Sequence, residues 1–239
     1  MTYCVGLLLD SGIVMLSDTR TNAGFDNIAC YRKMFVFENA GERVVTILTA
    51  GNLSVTQTVI AKLRHGISSE DPETSIMHAA TMLEVAEIVG RTLNDIYVAV
   101  DERMKRTDYS ASASMLLGGQ RQGGQLRLFL IYREGNFIEA TDDTPYLQIG
   151  EHKYGKPILD RVVRPATPIE DGRKAVLISM DSTLRSNLSV GMPLDLLTIR
   201  RNEYRVSTRE RIEPGDATFA AMSEAWSKAL RDGFQGLPG

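Results

Sequence analysis

The chain has 239 residues, of which 43% are hydrophobic and 24% are charged, and its formal net charge is −3. This length and apolar content suffice for one substantial core, so we expect a single domain over residues 1–239. The small net charge, without a dense basic cluster, argues against a nucleic-acid-binding protein or a protein of anionic membrane surfaces.

The sequence also argues against a disulfide-rich, metal-binding, secreted or membrane-spanning protein. Cys4 and Cys30 are too few for a disulfide framework, and the three histidines are scattered without metal-ligand spacing. The apolar run after Met1 lacks a preceding basic segment and is interrupted at Asp10, which predicts neither a signal peptide nor a membrane span. We expect a cytoplasmic protein without a metal or another cofactor.

Two β-hairpins are predicted at the start of the chain. Their strands are residues 3–9, 13–17, 33–37 and 44–49. Turn residues join the strands of each hairpin, at 10–12 in the first and at 38–41 in the second. The segment between the hairpins, residues 19–31, is polar and is predicted to be irregular.

A helix is predicted directly after the second hairpin. The pattern changes from strand to helix at Gly51, after which Asn52 or Ser54 can cap a helix over residues 53–65. Gly66 is predicted to end this helix.

The rest of the chain contains both helices and strands. A long helix is predicted over residues 74–106, with a break near Gly90 as an alternative. The later predicted strands are residues 114–118, 126–132, 137–140, 194–200 and 204–208. The later predicted helices are residues 154–163, 169–183 and 217–230. Helices inserted in pairs between blocks of strands predict a layered α+β sandwich, with helices outside two packed sheets.

Thr2 directly follows the initiator methionine. Because threonine is small, we expect removal of Met1, which would leave Thr2 with a hydroxyl nucleophile and a free α-amine on one residue. The reference pKa of that amine is about 7.7 to 8.0, and a neighbouring ammonium would hold more of it neutral. Lys33 could do so, since two unit charges about 4 Å apart interact by roughly 4 kcal/mol at an effective dielectric of about 20.

Asp18 and Gly51 would complete this chemistry. Asp18 would keep Lys33 charged and oriented, and the N–H of Gly51 at a strand-to-helix junction could donate to an oxyanion. Each residue also fits a structural role when taken singly. Thr2 could simply begin a strand, Asp18 and Lys33 could form an ordinary ion pair, and Gly51 could be a turn glycine, so spacing alone leaves both interpretations open.

Several motifs resemble the proteasome β-subunit family of N-terminal nucleophile hydrolases. They are Thr2 at the start of a strand, Ser11-Gly12-Ile13-Val14-Met15-Leu16-Ser17-Asp18-Thr19-Arg20, Lys33-Met34-Phe35 and Thr49-Ala50-Gly51-Asn52. Within that family, Asn52 and the segments 150–157 and 186–191 are most similar to the bacterial branch called Anbu. The heat-shock-locus peptidase subunits of bacteria are the nearest alternative branch.

The resemblance implies a four-layer αββα fold and a threonine peptidase. Thr2 would be nucleophile and base, supported by Asp18 and Lys33, and the Gly51 N–H would lie in the oxyanion hole. The residues near a substrate-side-chain pocket would be Thr21, Asn22, Thr49 and Leu53. The resemblance also implies a homo-oligomeric ring or ring-like assembly that acts on peptides or unfolded proteins, with any unfoldase partner unknown.

The supporting residues depart from the family pattern. The family has an aspartate, a serine three residues later and then a glycine, and the matching positions here are Ser186, Ser189 and Val190. Ser189 matches, whereas the aspartate is missing and Asp181 is too distant in sequence to be aligned in its place. Glu151 stands where the family has a further serine.

Three functions of the chain are open at this stage. We expect hydrolysis of peptide bonds through Thr2 by way of an acyl-ester intermediate. The same site could instead transfer acyl groups or hydrolyse small non-peptide amides. If Met1 is retained, the nitrogen of Thr2 is an amide without a basic lone pair, and the chain would be an assembly subunit without catalysis.

Overall fold

The computed structural model describes residues 2–22, 28–69, 71, 73–104 and 111–238. The strands are β1 (Tyr3–Leu9), β2 (Gly12–Asp18), β3 (Arg20–Asn22), β4 (Ile28–Cys30), β5 (Met34–Asn39), β6 (Arg43–Gly51), β7 (Ala113–Arg121), β8 (Arg127–Ile131), β9 (Phe137–Glu139), β10 (Tyr146–Gly150), β11 (Leu194–Arg200) and β12 (Thr208–Ile212). The helices are α1 (Leu53–Ser68), α2 (Met82–Met104), α3 (Lys156–Val162), α4 (Ile169–Ser186) and α5 (Ala217–Gln235).

The strands within the described residues form two large antiparallel sheets and one small one. The first sheet has the order β10-β1-β2-β11-β12, the second has the order β5-β6-β7-β8-β9, and β3 pairs with β4. β1 and β2 lie inside the first sheet and are buried along nearly their whole length. Burial of both faces explains why these two strands are apolar without alternation.

Three layers of apolar side chains define the four-layer αββα sandwich. α1 and α2 pack on the second sheet, with Val85 and Phe129 among the buried residues. The two sheets pack on each other around residues such as Met15 and Leu48. α3 and α4 cover the outer face of the first sheet, where Met180 is fully buried. The predicted α+β class and layer order are confirmed.

The structure corrects three strand predictions. The segment 19–31 contains the paired strands β3 and β4, although residues 23–27 lie outside the described part of the chain. β10 was not predicted, because it is short and directly follows Pro145. The last strand is β12 rather than residues 204–208, because an edge strand with only Ile212 buried shows no apolar alternation.

The structure also corrects helix boundaries: α5 ends at Gln235 and not at residue 230, and the boundaries of α1 and α2 differ for reasons of packing. α1 continues through Gly66, where a side chain would collide with the carbonyl of Thr74, so this glycine permits close packing and does not end the helix. α2 begins at Met82, after a run of turns, and continues through Gly90, which lies against the carbonyl of Gly135. The predicted end of this helix, residues 105–106, lies outside the described residues. None of the described helices is both long and apolar enough to cross a membrane.

Candidate active site

Thr2 is held by the end of β10. It directly precedes β1, is 7% exposed, and its carbonyl oxygen accepts a hydrogen bond from the Glu151 N–H at 2.7 Å. Tyr3 lies opposite Gly150 in the β1–β10 pairing. Gly150 has φ of +80°, and a side chain there would collide with the carbonyl of Thr2. Contacts from β10 therefore fix the backbone of Thr2.

The side chain of Tyr3 anchors the same segment from the helical side. Its fully buried hydroxyl lies 2.6 Å from Ser179 Oγ of α4 and accepts a hydrogen bond from Gln148 Nε2 of β10 at 2.6 Å. Burial raises the pKa of Tyr3, so the hydroxyl stays neutral and can donate. Tyr3 thus connects the first strand to a helix on the outer face of the sheet.

Asp18 and Lys33 form a buried ion pair beside this strand. Lys33 Nζ donates to Asp18 Oδ1 at 2.7 Å and to the carbonyl oxygen of Arg20 at 2.6 Å. Asp18 Oδ1 also accepts from the Tyr3 N–H at 3.2 Å, and Oδ2 accepts from the Gly191 N–H at 3.3 Å. One carboxylate therefore contacts the strand after Thr2, the lysine before β5 and the loop before β11.

The two N-terminal hairpins bring this pair together. Asp18 is the last residue of β2, and Lys33 directly precedes β5. The carbonyl of Lys33 accepts a hydrogen bond from the Thr49 N–H at 2.9 Å, which ties the lysine to β6. Since β2 and β5 belong to the two stacked sheets, the pair joins one sheet to the other.

Burial shifts the ionisation of Asp18. The pKa of Asp18 is raised because its carboxylate is removed from water, while the Lys33 ammonium and the N–H groups of Tyr3 and Gly191 act in the opposite direction. Lys33 Nζ and Tyr3 N share one acceptor oxygen. When the pair is ionised, an ammonium therefore lies next to the peptide bond that follows Thr2.

Gly51 lies at the turn from β6 into α1. It has φ of +102°, and a side chain there would collide with the carbonyl of Ser112. The N–H of Thr49 donates to the carbonyl of Lys33, and the N–H of Asn52 donates to the carbonyl of Ser112. Because N–H directions alternate along a strand, we expect the N–H of Gly51 to point to the same side as that of Thr49, which is the side of β6 where Lys33 lies. Asn52 caps α1 as predicted, accepting from the Val55 N–H at 3.2 Å.

Ser189 lies on the loop that contacts Asp18. Its N–H donates to Asn187 Oδ1 at 2.9 Å, two residues before the Gly191 N–H that reaches Asp18. Ser186 is the exposed last residue of α4 and brings no carboxylate to this loop. Asp181 instead contacts Ser223 of α5 at 2.7 Å, which leaves it outside the site.

The four predicted pocket residues lie on the segments around the ion pair and Gly51. Thr21 lies in β3 opposite Ala29, directly after the carbonyl that holds Lys33, and Asn22 is the last residue of that strand. Thr49 is 4% exposed and lies two residues before Gly51. Leu53 is the first residue of α1, two residues after Gly51.

Three contributions to the site were not predicted from the sequence. They are the carbonyl of Arg20, the amide of Gly191 and the side-chain anchor of Tyr3. Arg20 and Gly191 lie within motifs that carried the family resemblance, but backbone contacts leave no mark in residue type. In the part of the chain that the structure describes, no group of three or more His, Cys, Asp or Glu side chains could hold a metal ion.

The four-layer αββα sandwich is the fold of proteasome-type N-terminal nucleophile hydrolases. The chain is similar to Anbu (ancestral beta-subunit) from Yersinia bercovieri, with 44% identity over 99% of this chain and 98% of that one and a TM-score of 0.91. It is also similar to a Gly-1 mutant of Anbu from Hyphomicrobium sp. strain MC1, with 46% identity over 100% and 99% of the two chains and a TM-score of 0.93.

A third similar structure is the helical assembly of the Anbu complex from Pseudomonas aeruginosa, with 43% identity over 99% of this chain and 97% of that one and a TM-score of 0.92. The chain belongs to the Anbu family, which confirms the branch that its motifs indicate. No family model and no curated protein matches the chain.

Proposed function

We propose that the chain is a threonine N-terminal nucleophile hydrolase that cleaves peptide bonds through Thr2 after removal of Met1. The observation that carries the proposal is the buried Lys33, which donates at once to Asp18 Oδ1 and to the Arg20 carbonyl. An ammonium held beside the N-terminal strand disfavours the protonated form of the Thr2 amine and leaves more of it able to act as a base.

The proposed reaction has two steps. The Thr2 Oγ attacks the substrate carbonyl while the α-amine takes the hydroxyl proton, and the amine then returns that proton to the leaving nitrogen as the C–N bond breaks. The product is an ester between Thr2 and the acyl half of the substrate. A water molecule, deprotonated by the same amine, then attacks the ester carbonyl; as the bond between the acyl carbon and Oγ breaks, the amine returns the proton to Thr2 Oγ and a carboxylic acid is released. The Gly51 N–H would donate to the oxyanion in both steps.

Substrate binding is proposed at the segments that surround the nucleophile. Thr21 and Asn22 on β3 would line one side of a substrate side chain, and Thr49 and Leu53 near Gly51 the other. The supporting observation is that both segments adjoin Lys33, through the Arg20 carbonyl and the Thr49 N–H. Peptides or unfolded segments of proteins are the proposed substrates, and Ser189 is proposed to support the amine from its loop.

Self-assembly and location are proposed on separate grounds. The similarity to the helical assembly from Pseudomonas aeruginosa supports a homo-oligomer of this chain. One domain over residues 1–239 is supported by β1, which pairs with β2 next to it in sequence and with the distant β10. A cytoplasmic location is supported by Cys4 and Cys30, which are both free thiols.

A mechanism-based probe tests the nucleophile. A β-lactone or epoxyketone should add the mass of one adduct at Thr2 in protein from which Met1 has been removed. Thr2→Ala should remove the adduct, whereas Thr58→Ala, which changes an exposed threonine of α1, should not. Labelling that survives Thr2→Ala would overturn the assignment of the nucleophile.

Intact-mass measurement should accompany the labelling, because Met1 lies outside the described residues and its removal stays a prediction. A peptide library then separates the reactions, since peptide hydrolysis releases new amino termini and acyl transfer consumes an added amine. Retained Met1 together with absent labelling would favour an assembly subunit without catalysis.

A further inference from the structure

We propose that the side chain of Arg20 is a positioning residue, which clamps the loop of residues 187–193 against the Asp18–Lys33 pair. The proposal rests on the proposed function only where it assumes that this pair supports Thr2.

Arg20 contacts both parts of the site. Its Nη1 donates to the carbonyl of Leu188 at 2.9 Å, and its backbone N–H donates to the carbonyl of Gly191 at 3.3 Å. Its own carbonyl accepts from Lys33 Nζ at 2.6 Å. A single residue therefore holds the loop at two points and the lysine at a third.

Gly191 is the closest point of this contact. A side chain at position 191 would collide with the Nε and Cζ atoms of Arg20, so the guanidinium lies directly against the backbone of this glycine. The N–H of Gly191 is also a donor to Asp18 Oδ2, at 3.3 Å. Movement of the guanidinium would therefore move a hydrogen-bond donor of the buried carboxylate.

The loop is also attached by the buried side chain of Val190 and by a hydrogen bond from the Thr19 N–H to the Gly191 carbonyl at 3.4 Å, and Arg20 acts together with these contacts. The loop sequence, Asn-Leu-Ser-Val-Gly-Met-Pro, contains no charged residue, and Leu188 is 88% exposed. Thr19 Oγ1 anchors the end of the loop by donating to the Pro193 carbonyl at 2.6 Å. At the exposed Leu188, the side-chain hydrogen bond to the loop is the one from Arg20 Nη1. Because Arg presents a planar fork of donors, lysine cannot reproduce both the hydrogen bond to the Leu188 carbonyl and the close contact with Gly191.

The first test compares Arg20→Ala and Arg20→Lys with Arg185→Ala, which removes an exposed arginine of α4. In the Arg20 variants the second-order rate of probe labelling at Thr2 should fall about ten- to hundredfold, as expected for a small displacement in a reactive site. Amide hydrogen exchange of residues 188–191 should become faster. The Arg185 variant should change neither readout, and unchanged loop exchange in both Arg20 variants would overturn the proposal.

A double-mutant cycle separates the clamp from general loss of stability. Gly191→Ala should slow labelling in the wild-type background but add little in Arg20→Ala, because the colliding guanidinium is already absent. Gly233→Ala, at a glycine with open space around it, is the matched control. Guanidinium ion at non-denaturing concentration should partly restore labelling of Arg20→Ala and should not restore Gly191→Ala.

Additive costs in the cycle would overturn the clamp. If wild-type protein from which Met1 has been removed shows no probe labelling, the proposed function fails, and the clamp does not. The clamp is then decided by loop exchange in the same cycle, where independent effects of the two substitutions would overturn it.

Discussion

The N–H of Tyr3 donates to Asp18 Oδ1, so the peptide bond that follows Thr2 is held directly by a buried carboxylate. The same oxygen accepts from Lys33, and no intermediate side chain separates the ion pair from the N-terminal strand. A change in either charged residue should therefore affect both the reactivity of Thr2 and the stability of the first strand.

Reactivity should depend on both members of the pair. We expect Lys33→Met and Asp18→Asn each to lower the rate of probe labelling at Thr2 at least about hundredfold, since a preorganised charge is removed from a water-excluded site. Lys156→Met is the control, because it breaks an exposed Lys156–Asp160 pair and should leave the rate unchanged. A rate within a few-fold of wild type for Lys33→Met would contradict the proposed role of the lysine.

Stability should respond to the pair in a non-additive way. Removal of one partner leaves an uncompensated buried charge, so Lys33→Met or Asp18→Asn should lower the free energy of unfolding by about 3 to 5 kcal/mol. Lys33→Met combined with Asp18→Asn should recover much of that loss, because no buried charge remains. Urea unfolding measures these differences, and a double variant as unstable as the sum of the singles would contradict the prediction.

The raised pKa of Asp18 gives stability a defined pH dependence. The folded protein retains this proton at pH values where the unfolded chain, with an aspartate pKa of about 3.9, has released it. The contribution of Asp18 to the free energy of unfolding should therefore fall as the pH rises from about 4 through the folded-state pKa. The difference between wild type and Asp18→Asn, measured by urea unfolding from pH 4 to 6, should decrease with pH. An increase would contradict the direction of the shift.

Gly150 should matter through its contact with Thr2. Gly150→Ala introduces strain at φ of +80° and a collision with the Thr2 carbonyl, so we expect slower probe labelling together with lower stability. Gly215→Ala carries a similar strain, at φ of +86°, but its added methyl group meets open space. Equal labelling rates for the two variants would show that the collision does not displace Thr2.

Much of the fold was predictable, because its central elements carry their own signals. β1, β2, β5 and β6 are apolar runs joined by turn residues, and α1 has both a capping asparagine and apolar helical spacing. β12 was misplaced because an edge strand needs few apolar side chains. α1 was cut short at Gly66, since a glycine that permits close packing looks the same in sequence as one that ends a helix.

The contact between Asp18 and Lys33 was predictable from the sequence, whereas the backbone contacts around it were not, and the roles of the site residues stay predictions. Thr2, Asp18 and Lys33 are chemically distinctive, so their residue types suggested a role before their positions were known. The carbonyl of Arg20 and the amide of Gly191 are backbone groups, which almost every residue possesses whatever its side chain. Only the pairing of distant segments shows which of these groups meet the ion pair.

Tyr3 pairs with Gly150, and Asp18 contacts Gly191, so the N-terminal residues of the site depend on residues that are synthesised much later. Thr2 leaves the ribosome early, whereas the strand that holds its backbone and the loop that reaches Asp18 lie more than 140 and 180 residues later in the chain. We expect a growing chain to have an exposed N-terminus without an organised site around it. Synthesis of these later segments would therefore delay the assembly of the contacts around Thr2.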